Sequence, residues 1–447
     1  MNFEEALSYL LSLGRELAAP TQAATAKFNL ENISVLARHL GDPEKHYPSV
    51  HIAGTNGKGS TAAFLEAMLR KAGYRTGLYT SPHLERINER IRIDGEPISD
   101  EGFARIFTRL RQLVESLLAN GALRAHPTFF ECVTAIAMLA FAEAGVDFAV
   151  FETGLGGRLD STNIVTPQVS VITRIDFDHE NFLGHSLREI AAEKAGIIKP
   201  EVPVVIAGQR DEVREALEAR ARELKAPLLE PALAYAVETV RLEEGRIRAL
   251  VRERDSGKTL HIEPRLAGRF QLENALNAAA TARVLRERGY GLTEGAVEAG
   301  IAAAVWPGRM EKIRSRPDIF VDGAHNPSSA RELDAFIGEN FAGRRIVLIF
   351  GMLRDKAVDE IAGILFPRAA HVILTEPATS RAISAAQLAE IAGHYAASSE
   401  VIPDANHALA AALAAAAPSD AIFITGSLYL VGQLRGRAAG SAATAAD

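Results

Sequence analysis

A glycine-rich loop between a predicted strand and a predicted helix constrains the fold of this chain more than any other feature. Residues 49–53 (SVHIA) form a short apolar run, and residues 60–72 carry apolar side chains at helical spacing. The segment at their junction consists of Gly54, Thr55, Asn56, Gly57, Lys58, Gly59, Ser60 and Thr61. Backbone amides at the start of a helix bind anions, and a lysine adds positive charge. An ordinary glycine-rich turn is the alternative, but the flanking strand and helix favour a phosphate-binding loop.

This loop departs from the standard GxxxxGK[ST] pattern in a way that matters for metal binding. It is shorter, and Gly59 follows Lys58 where the standard loop has the hydroxyl that ligates magnesium. Oxygen ligands must therefore come from elsewhere. Ser81 and Glu152 lie at the ends of predicted strands, where open α/β sheets bind ligands. A turn hydroxyl and a helix cap are the alternative interpretations of these two residues.

Strand-like apolar runs alternate with helical stretches along most of the chain. In the first half, further strands are predicted at 76–80, 148–152, 169–175 and 202–206. A second series has predicted strands at 318–322, 346–351, 371–375 and 421–425. Such alternation predicts parallel sheets with helices on both faces. We therefore expect an α/β protein with an N-terminal P-loop-type parallel-sheet ATPase domain and a smaller C-terminal Rossmann-like α/β domain.

The length of 447 residues predicts more than one domain, because it exceeds what a single hydrophobic core usually holds. The turn that begins at Trp306 is a plausible hinge, so we place one domain at 1–305 and the second at 306–435. Residues 235–264 alternate in polarity and carry many charges, which predicts an antiparallel β insertion, and a helix is predicted at about 271–288. Residues 436–447 are small and rich in alanine, so we expect a flexible tail.

Composition argues against several classes of function. The net charge of −7 disfavours nucleic-acid binding, which usually requires a basic patch. Cys132 is the only cysteine, so no internal disulfide can form and a reducing compartment is expected. Glu4 and Glu5 stand where a signal peptide carries positive charge, and no uncharged apolar run reaches the roughly 18–20 residues of a membrane span. We expect a cytoplasmic protein with no membrane partner.

Three further polar segments are candidates for a site. Asp176, Asp178 and His179 follow a predicted strand and could hold a metal, although a solvated acidic turn is an equal alternative. A segment from Asp322 to His325 follows another strand and could face a cleft between the domains, or it could cap a loop. Spacing alone makes Lys194 a surface lysine on a helix. No Asn-Lys-x-Asp motif is present, which disfavours a GTPase.

Taken together, these segments resemble the folylpolyglutamate synthase and dihydrofolate synthase family of the Mur-ligase superfamily. The resemblance extends from about residue 28 to 432 and favours the folate branch over the cell-wall ligases, because of the SPHL motif and the glycine after Lys58. The motifs that carry it are HIAGTNGKGST (51–61), YTSPHL (79–84), FETGLGGRLDSTN (151–163), DFDH (176–179), EKAGIIK (193–199), WPGRME (306–311), FVDGAHNP (320–327), FGMLRDK (350–356) and TGSLYLVG (425–432).

The resemblance implies an ATP- and Mg²⁺-dependent ligase that joins L-glutamate to dihydropteroate or to a reduced folate through an acyl phosphate. It implies that the loop from Gly54 to Thr61 binds ATP, with further nucleotide contacts from Asn274, Arg309 and Asp322. It implies magnesium ligation by Ser81, Glu152 and His179. The catalytic residues that it implies are Lys58, His325 near the transferred phosphate, and Lys194, which is often carbamylated in the family and then acts as an anion near a metal.

The resemblance also implies which segments face the folate substrate. The implied pterin-site residues are Thr128, Phe129, Phe130, Glu131, Gly156, Gly157, Arg158, Leu159 and Asp160. The stretch Phe28–Ile33 differs from the commoner F-D-L-G-L-E-R form of the family. We expect a monomer that acts on small molecules in folate biosynthesis and one-carbon metabolism. The alternatives are another amino-acid ligase of the Mur superfamily, a P-loop ATPase that acts on a partner, and a non-enzymatic binding module.

Overall fold

The structure is a computed structural model that describes residues 1–13, 29–243 and 245–440. Its largest element is an eight-stranded sheet in the order β4-β3-β2-β5-β1-β6-β7-β8. The strands are β1 Ser49–Ala53, β2 Thr76–Tyr79, β3 Ile91–Ile93, β4 Glu96–Pro97, β5 Phe148–Glu152, β6 Val169–Ile172, β7 Val204–Ile206 and β8 Leu228–Leu229. Six of them are parallel, and β3 and β4 continue the sheet in antiparallel fashion.

Helices cover both faces of this sheet. They are α1 Phe3–Ser12, α2 Glu31–His39, α3 Lys58–Lys71, α4 Asp100–Ala119, α5 Phe129–Ala144, α6 Glu180–Leu183, α7 Leu187–Ala195, α8 Asp211–Glu223, α9 Pro231–Ala234, α10 Phe270–Glu287 and α11 Glu294–Ala303. Successive strand residues point to opposite faces, so Val150 belongs to the core under α3 and α10 while Phe151 belongs to the core under α4 and α5. The sheet is therefore buried on both sides, as parallel sheets are.

A small three-stranded antiparallel sheet in the order β11-β10-β9 lies beside the first sheet. Its strands are β9 Tyr235–Glu243, β10 Arg246–Glu253 and β11 Thr259–Ile262. Ile247, Ala249 and Val251 alternate with exposed residues on β10 and pack into the same core as α3 and α10. This sheet occupies the segment 235–264, where an antiparallel β insertion was predicted, and it has three strands instead of the two of a hairpin.

The C-terminal domain is built on a six-stranded sheet in the order β12-β13-β17-β14-β15-β16, parallel except for β12. Its strands are β12 Glu311–Arg314, β13 Asp318–Val321, β14 Ile346–Phe350, β15 His371–Glu376, β16 Ser399–Asp404 and β17 Ala421–Thr425. Its helices are α12 Pro327–Asn340, α13 Val358–Leu365, α14 Ala385–Ala392, α15 Ala405–Ala415 and α16 Leu428–Ala438. The predicted α/β class with two parallel-rich sheets is confirmed.

The strands that the sequence did not predict are short or lie at sheet edges. β3, β4, β8, β12 and β16 lack the continuous apolar run that marks a central strand, and most residues of β16 are exposed. The predicted domain boundary at 305/306 falls between α11 and β12. Helix α16 extends to Ala438, three residues into the predicted tail, and 441–447 lie outside the described residues, as does Phe28. In the part of the chain that the structure describes, no helix is long and apolar enough to cross a membrane.

Candidate active site

The glycine-rich loop runs from the end of β1 to the start of α3, and it is packed too tightly for larger residues. The amides of Thr55 and Asn56 donate to the carbonyl of Arg174 on the neighbouring strand end, at 2.9 and 3.2 Å. Gly57 has a φ of +86°, and a Cβ there would lie 2.2 Å from Oδ1 of Asn274 on α10. A Cβ on Gly59 would lie 2.7 Å from Nε1 of Trp306. The loop is therefore fixed between α10 and the interdomain segment.

Two lysine amines converge on one carbonyl of this loop. Lys58 Nζ donates to Gly54 O at 3.2 Å, and Lys194 Nζ donates to the same oxygen at 2.7 Å. Lys194 is only 4% exposed, so its interpretation as a surface lysine is wrong. Burial, followed by the charge of Lys58, lowers the pKa of Lys194 to about 7. A large fraction of this amine is therefore neutral near neutral pH, and it can act as a nucleophile.

Glu152 ends β5 and projects toward the loop from the adjacent strand. It is 4% exposed, and Ser81 N donates to its Oε2 at 3.4 Å. Burial raises the pKa of Glu152 to about 7, against the opposing charge of Lys58. The carboxylate of Glu152 and the hydroxyl that Ser81 carries are both hard oxygen donors of the kind that Mg²⁺ prefers. The predicted ligands Ser81 and Glu152 are thus neighbours, and together they fit a magnesium ion.

His179 lies on the same cleft but faces a different carboxylate. Its Nε2 is 3.8 Å from Oδ2 of Asp178, and its φ is 52°. Burial lowers the pKa of His179 to about 3, so the ring is neutral and can ligate a metal. In the described ranges, no group of three His, Cys, Asp or Glu side chains converges on one point. A magnesium ion here would therefore depend on Ser81 and water for part of its coordination.

The C-terminal domain supplies the opposite wall of the cleft. The carboxylate of Asp322 accepts from Met310 N at 2.9 Å and from Ala324 N at 2.8 Å, so it caps the loop after β13. Burial raises the pKa of Asp322. His325 Nδ1 contacts Gly323 O at 2.7 Å, which directs Nε2 toward Asp178 of the N-terminal domain, 3.6 Å from its Oδ2. The loop cap and the cleft-facing imidazole, which the sequence offered as alternatives, are therefore both present, in Asp322 and His325.

Polar contacts join the two domains at the centre of the cleft. Lys356 Nζ donates to Asp178 Oδ1 at 2.6 Å, and the side chains are 6% and 10% exposed. Asn326 Nδ2 donates to Asn56 Oδ1 at 3.0 Å. Asp178 and Lys356 lie within the motifs DFDH and FGMLRDK, but no local pattern predicted a role for Lys356. Only their position on different domains reveals the pair, since no local pattern links residues so far apart.

Most predicted site residues line a single cleft between the domains, with about 1260 Å³ of open space. The predicted residues on its wall are Gly54, Thr55, Asn56, Gly57, Lys58, Gly59, Ser60, Ser81, Glu152, Gly156, His179, Lys194, Asn274, Arg309, Asp322 and His325. Other residues that line the cleft were not predicted from the sequence, among them Arg174, Phe270, Glu273, Ser328 and Glu332. Thr61, Thr128–Glu131 and Gly157–Asp160 do not line this cleft.

The two segments predicted to face the substrate, 128–131 and 157–160, lie behind the wall of the cleft and support it. Thr128 and Glu131 form a capping box at the start of α5, in which Thr128 N donates to Glu131 Oε2 at 2.8 Å. Phe130 packs against Gly154, and Phe129 is buried beneath the guanidinium of Arg90, 5.4 Å from the ring. The local pattern T-x-x-E accounts for Thr128 and Glu131 structurally.

Asp160 organises the loop that follows β5. Its Oδ2 accepts from Gly154 N and Leu155 N, each at 2.9 Å, and its Oδ1 accepts from the amide and hydroxyl of Thr162. Four donors fill the lone-pair sites of one carboxylate. Arg158 pairs with Glu193 at 2.8 Å on the exposed side. Gly156 is the residue of the Gly156–Asp160 segment that reaches the cleft.

The cleft thus combines an amide-rich anion site, two amines and a buried carboxylate with a second domain. Such an arrangement can bind a polyphosphate, screen its charge and close over a reacting centre. These features are those of phosphoryl transfer to a small acceptor.

Family models and solved structures give a consistent comparison. The Mur ligase middle domain matches residues 52–282, and the Mur ligase, glutamate ligase domain matches residues 308–428. The dihydrofolate synthase/folylpolyglutamate synthase of Bacillus subtilis is 40% identical over 334 residues, which covers 74% of this chain and 76% of that protein. The Escherichia coli protein of the same name is 34% identical over 369 residues, covering 80% and 77%.

Solved structures agree with the fold described above. Mycobacterium tuberculosis folylpolyglutamate synthase complexed with ADP superposes with a TM-score of 0.88 at 34% identity, covering 97% of this chain and 98% of that chain. Escherichia coli FolC in complex with DHPP and ADP superposes with a TM-score of 0.84 at 30% identity, covering 97% of each chain.

Proposed function

This chain belongs to the Mur ligase family, among the folylpolyglutamate and dihydrofolate synthases, and we propose that its cleft joins glutamate to a folate-type carboxylate. It is an ATP-dependent ligase of small molecules. The detailed proposal rests on the position of three side chains, Lys58, Lys194 and Glu152, which lie together at the phosphate loop. His325 of the other domain lies opposite them in the same cleft. A polyphosphate and a reacting carboxylate need this charge arrangement.

The phosphate loop holds ATP in this proposal. The amides from Gly57 onward open α3 and point their positive dipole ends at the phosphates, and Lys58 adds a charge. Asn274 lies against the loop from α10, and Arg309 and Asp322 line the far wall of the cleft. The relatives were solved in complex with ADP, which supports nucleotide binding by this chain.

Magnesium is the metal that the donor set suits. Ser81, Glu152 and His179 are its proposed ligands, with the oxygen donors Ser81 and Glu152 adjacent to each other. When bound, Mg²⁺ supplies Lewis-acid neutralisation of the phosphate charge. Burial raises the pKa of Glu152 in the protein without metal. A bound Mg²⁺ would attract the ionised carboxylate and so offset this effect.

The chemistry follows from the weakness of a carboxylate as an acyl donor. Its oxygen is a poor leaving group, so the γ-phosphoryl group is first transferred to it to form an acyl phosphate. The glutamate amine then attacks the carbonyl carbon, and the tetrahedral intermediate loses phosphate. Lys58 stabilises the phosphate charge through both steps, and His325 lies on the wall near the transferred phosphate. The two domains exclude water, because hydrolysis would waste the acyl phosphate.

Lys194 is proposed to be carbamylated. Carbamate formation needs a neutral amine, and the pKa of about 7 provides one. The product would replace a buried cation beside Lys58 with an anion. That exchange would remove the repulsion between the two amines, which are both bonded to Gly54 O.

The folate-type substrate is proposed to approach along the loop after β5 and the start of α5. Gly156 reaches the cleft, and Phe130 lies against this loop through its contact with Gly154. The other proposed pterin-site residues of the two segments, 128–131 and 157–160, shape these walls from behind. We propose that the chain acts as a monomer.

The decisive experiment is ATP-dependent incorporation of labelled glutamate, comparing dihydropteroate, tetrahydrofolate and a UDP-sugar carboxylate as acceptors. We expect incorporation with one or both pteroate-type acceptors and none with the UDP-sugar. Incorporation only with the UDP-sugar would assign the chain to another type of Mur ligase. ATP hydrolysis without any acceptor and without amide formation would instead indicate a P-loop ATPase.

A further inference from the structure

Three buried side chains connect strand β1 to the loop after strand β5. His51 Nε2 lies 2.7 Å from Thr162 Oγ1, and that hydroxyl contacts Asp160 Oδ1. His51 and Thr162 are fully buried, and Asp160 is 6% exposed. The function proposed above gives no role to His51 or Thr162.

The direction of these hydrogen bonds is fixed by Asp160. Burial raises the pKa of Asp160, but four donors converge on its carboxylate, oppose that rise and favour the ionised form. A carboxylate only accepts, so the Thr162 hydroxyl donates to it and can only accept from His51. His51 therefore carries its proton on Nε2. Its Nδ1 is buried without a hydrogen-bond partner among the described residues, and burial lowers the pKa of the ring to about 3.

At one end of this chain of hydrogen bonds, Asp160 contacts residues in the wall of the cleft. Asp160 Oδ2 holds the amides of Gly154 and Leu155, and both residues line the cleft two and three positions after Glu152. The near end is β1, where His51 lies three residues before Gly54 of the phosphate loop. One chain of hydrogen bonds thus joins the strand that leads into the loop proposed to hold ATP to the loop proposed to face the acceptor.

The loop after β5, residues 153–163, is here called the acceptor loop. The rest of this loop is held by hydrogen bonds that do not involve His51 or Thr162. Asn163 Nδ2 donates to Arg158 O at 3.0 Å and to Gly196 O at 3.1 Å, and Lys199 Nζ donates to Asn163 O at 2.8 Å. These contacts hold the base of the loop whether or not His51 and Thr162 are bonded. Loss of the hydrogen bonds among His51, Thr162 and Asp160 should therefore shift Gly154 and Leu155 at the cleft wall without unfolding the loop.

We propose that His51 and Thr162 are positioning residues that set the acceptor loop at a fixed distance from the phosphate loop. The proposal rests on the ligase function above. The acceptor carboxylate must lie within reach of the γ-phosphate, and small displacements of such a pair slow the reaction strongly. A displaced loop would bind the pteroate-type acceptor poorly and admit water to the acyl phosphate. ATP would bind normally, since its own loop is held by Arg174 and Asn274.

The test uses a matched pair at one position. Thr162→Val has the same shape and lacks the hydroxyl, whereas Thr162→Ser keeps the hydroxyl. We expect Thr162→Val to raise the KM for the pteroate-type acceptor about tenfold, the loss typical of one buried hydrogen bond. The phosphate released per amide formed should also rise, and the KM for ATP should remain unchanged. Thr162→Ser should retain wild-type values of all three quantities.

His51 supplies a second pair. His51→Leu should reproduce the Thr162→Val kinetics, and His51→Gln, whose amide can donate at the position of Nε2, should partly restore them. Thr162→Val with a wild-type acceptor KM and a wild-type phosphate-to-amide ratio would overturn the proposal. An equal rise in the KM for ATP, or failure of Thr162→Val to fold while Thr162→Ser folds, would also overturn it, because the contact would then be structural. A wild-type chain that incorporates no glutamate would instead contradict the proposed function.

Discussion

Lys356 of the C-terminal domain places its Nζ 2.6 Å from Oδ1 of Asp178 in the N-terminal domain, with both side chains nearly excluded from solvent. His325 and Asn326 approach the other oxygen of the same carboxylate, at 3.6 and 3.4 Å. Burial raises the pKa of Asp178, but the hydrogen bond with His325 and the charge of Lys356 oppose it and hold the pKa well below its usual range. Asp178 is thus the polar centre of the contact between the two domains.

The first prediction concerns this ion pair. Lys356→Met leaves a buried carboxylate without its closest cation and should destabilise the contact by about 3–5 kcal/mol. Denaturant unfolding of Lys356→Met, Asp178→Asn and the double variant gives the coupling energy. The same set of single and double variants at Arg331 and Glu360 is the control, because these two side chains are also 2.6 Å apart but both exposed. A coupling no larger than that of the exposed pair would contradict the prediction.

The second prediction concerns the phosphate loop. Lys58→Ala should reduce ligation by about a hundredfold or more at saturating ATP, because it removes a charge aimed at the phosphates. The melting temperature should change little, since among the described residues Lys58 Nζ donates to two carbonyls of its own loop. Lys71→Ala, at the exposed end of the same helix, should leave turnover unchanged. Wild-type turnover in Lys58→Ala would refute the phosphate-loop assignment.

The third prediction concerns magnesium. Glu152→Gln and His179→Ala should each raise the magnesium concentration needed for half-maximal activity, by about 10–100-fold, as loss of a group at a metal site typically does. The measurement is a magnesium titration of glutamate incorporation. Glu180→Gln removes an exposed carboxylate beside His179 and serves as the control. If both variants titrate like the wild type, the metal is held by other residues.

The fourth prediction concerns pH and uses protein freed of metal with EDTA. Burial raises the pKa of Glu152 to about 7 from an ordinary 4.5. A raised pKa contributes stability that is complete below the ordinary pKa and is lost as the pH rises through 7. Relative to Glu152→Gln, the wild type should therefore lose up to roughly 3 kcal/mol of unfolding free energy between pH 5 and pH 8. Parallel stability curves for the two proteins would contradict this interpretation.

Local patterns predicted the strand, the glycine-rich turn and the helix of the proposed phosphate loop, because everything that defines them lies within one short segment. Glu152 was found in the same way, as a carboxylate at a strand end. Lys194 was not, because its burial depends on Gly54, which lies 140 residues earlier in the chain. Its sequence neighbourhood is that of a surface helix, and only the family resemblance indicated another role.

The other omissions have a similar physical origin. Lys356 occupies a loop whose sequence gives no sign that it meets Asp178 across the cleft. Thr128 and Glu131 were assigned to the substrate by resemblance, although their spacing is also that of a capping box, which is what the structure contains. Sequence spacing defines contacts within an element, whereas contacts between domains require the tertiary fold.

The last prediction decides between two states of Lys194. A buried amine that only bonds to Gly54 O and a carbamate near a metal have opposite charges, so alanine acts differently on each. If Lys194 is carbamylated, Lys194→Ala should lose about 10–100-fold in activity or magnesium affinity, and acetate should partly restore turnover. Removal of dissolved CO₂ should lower wild-type activity, more strongly below pH 7, where protonation of an amine with a pKa of about 7 opposes carbamate formation. Unchanged turnover and unchanged magnesium titration in Lys194→Ala would eliminate the carbamate.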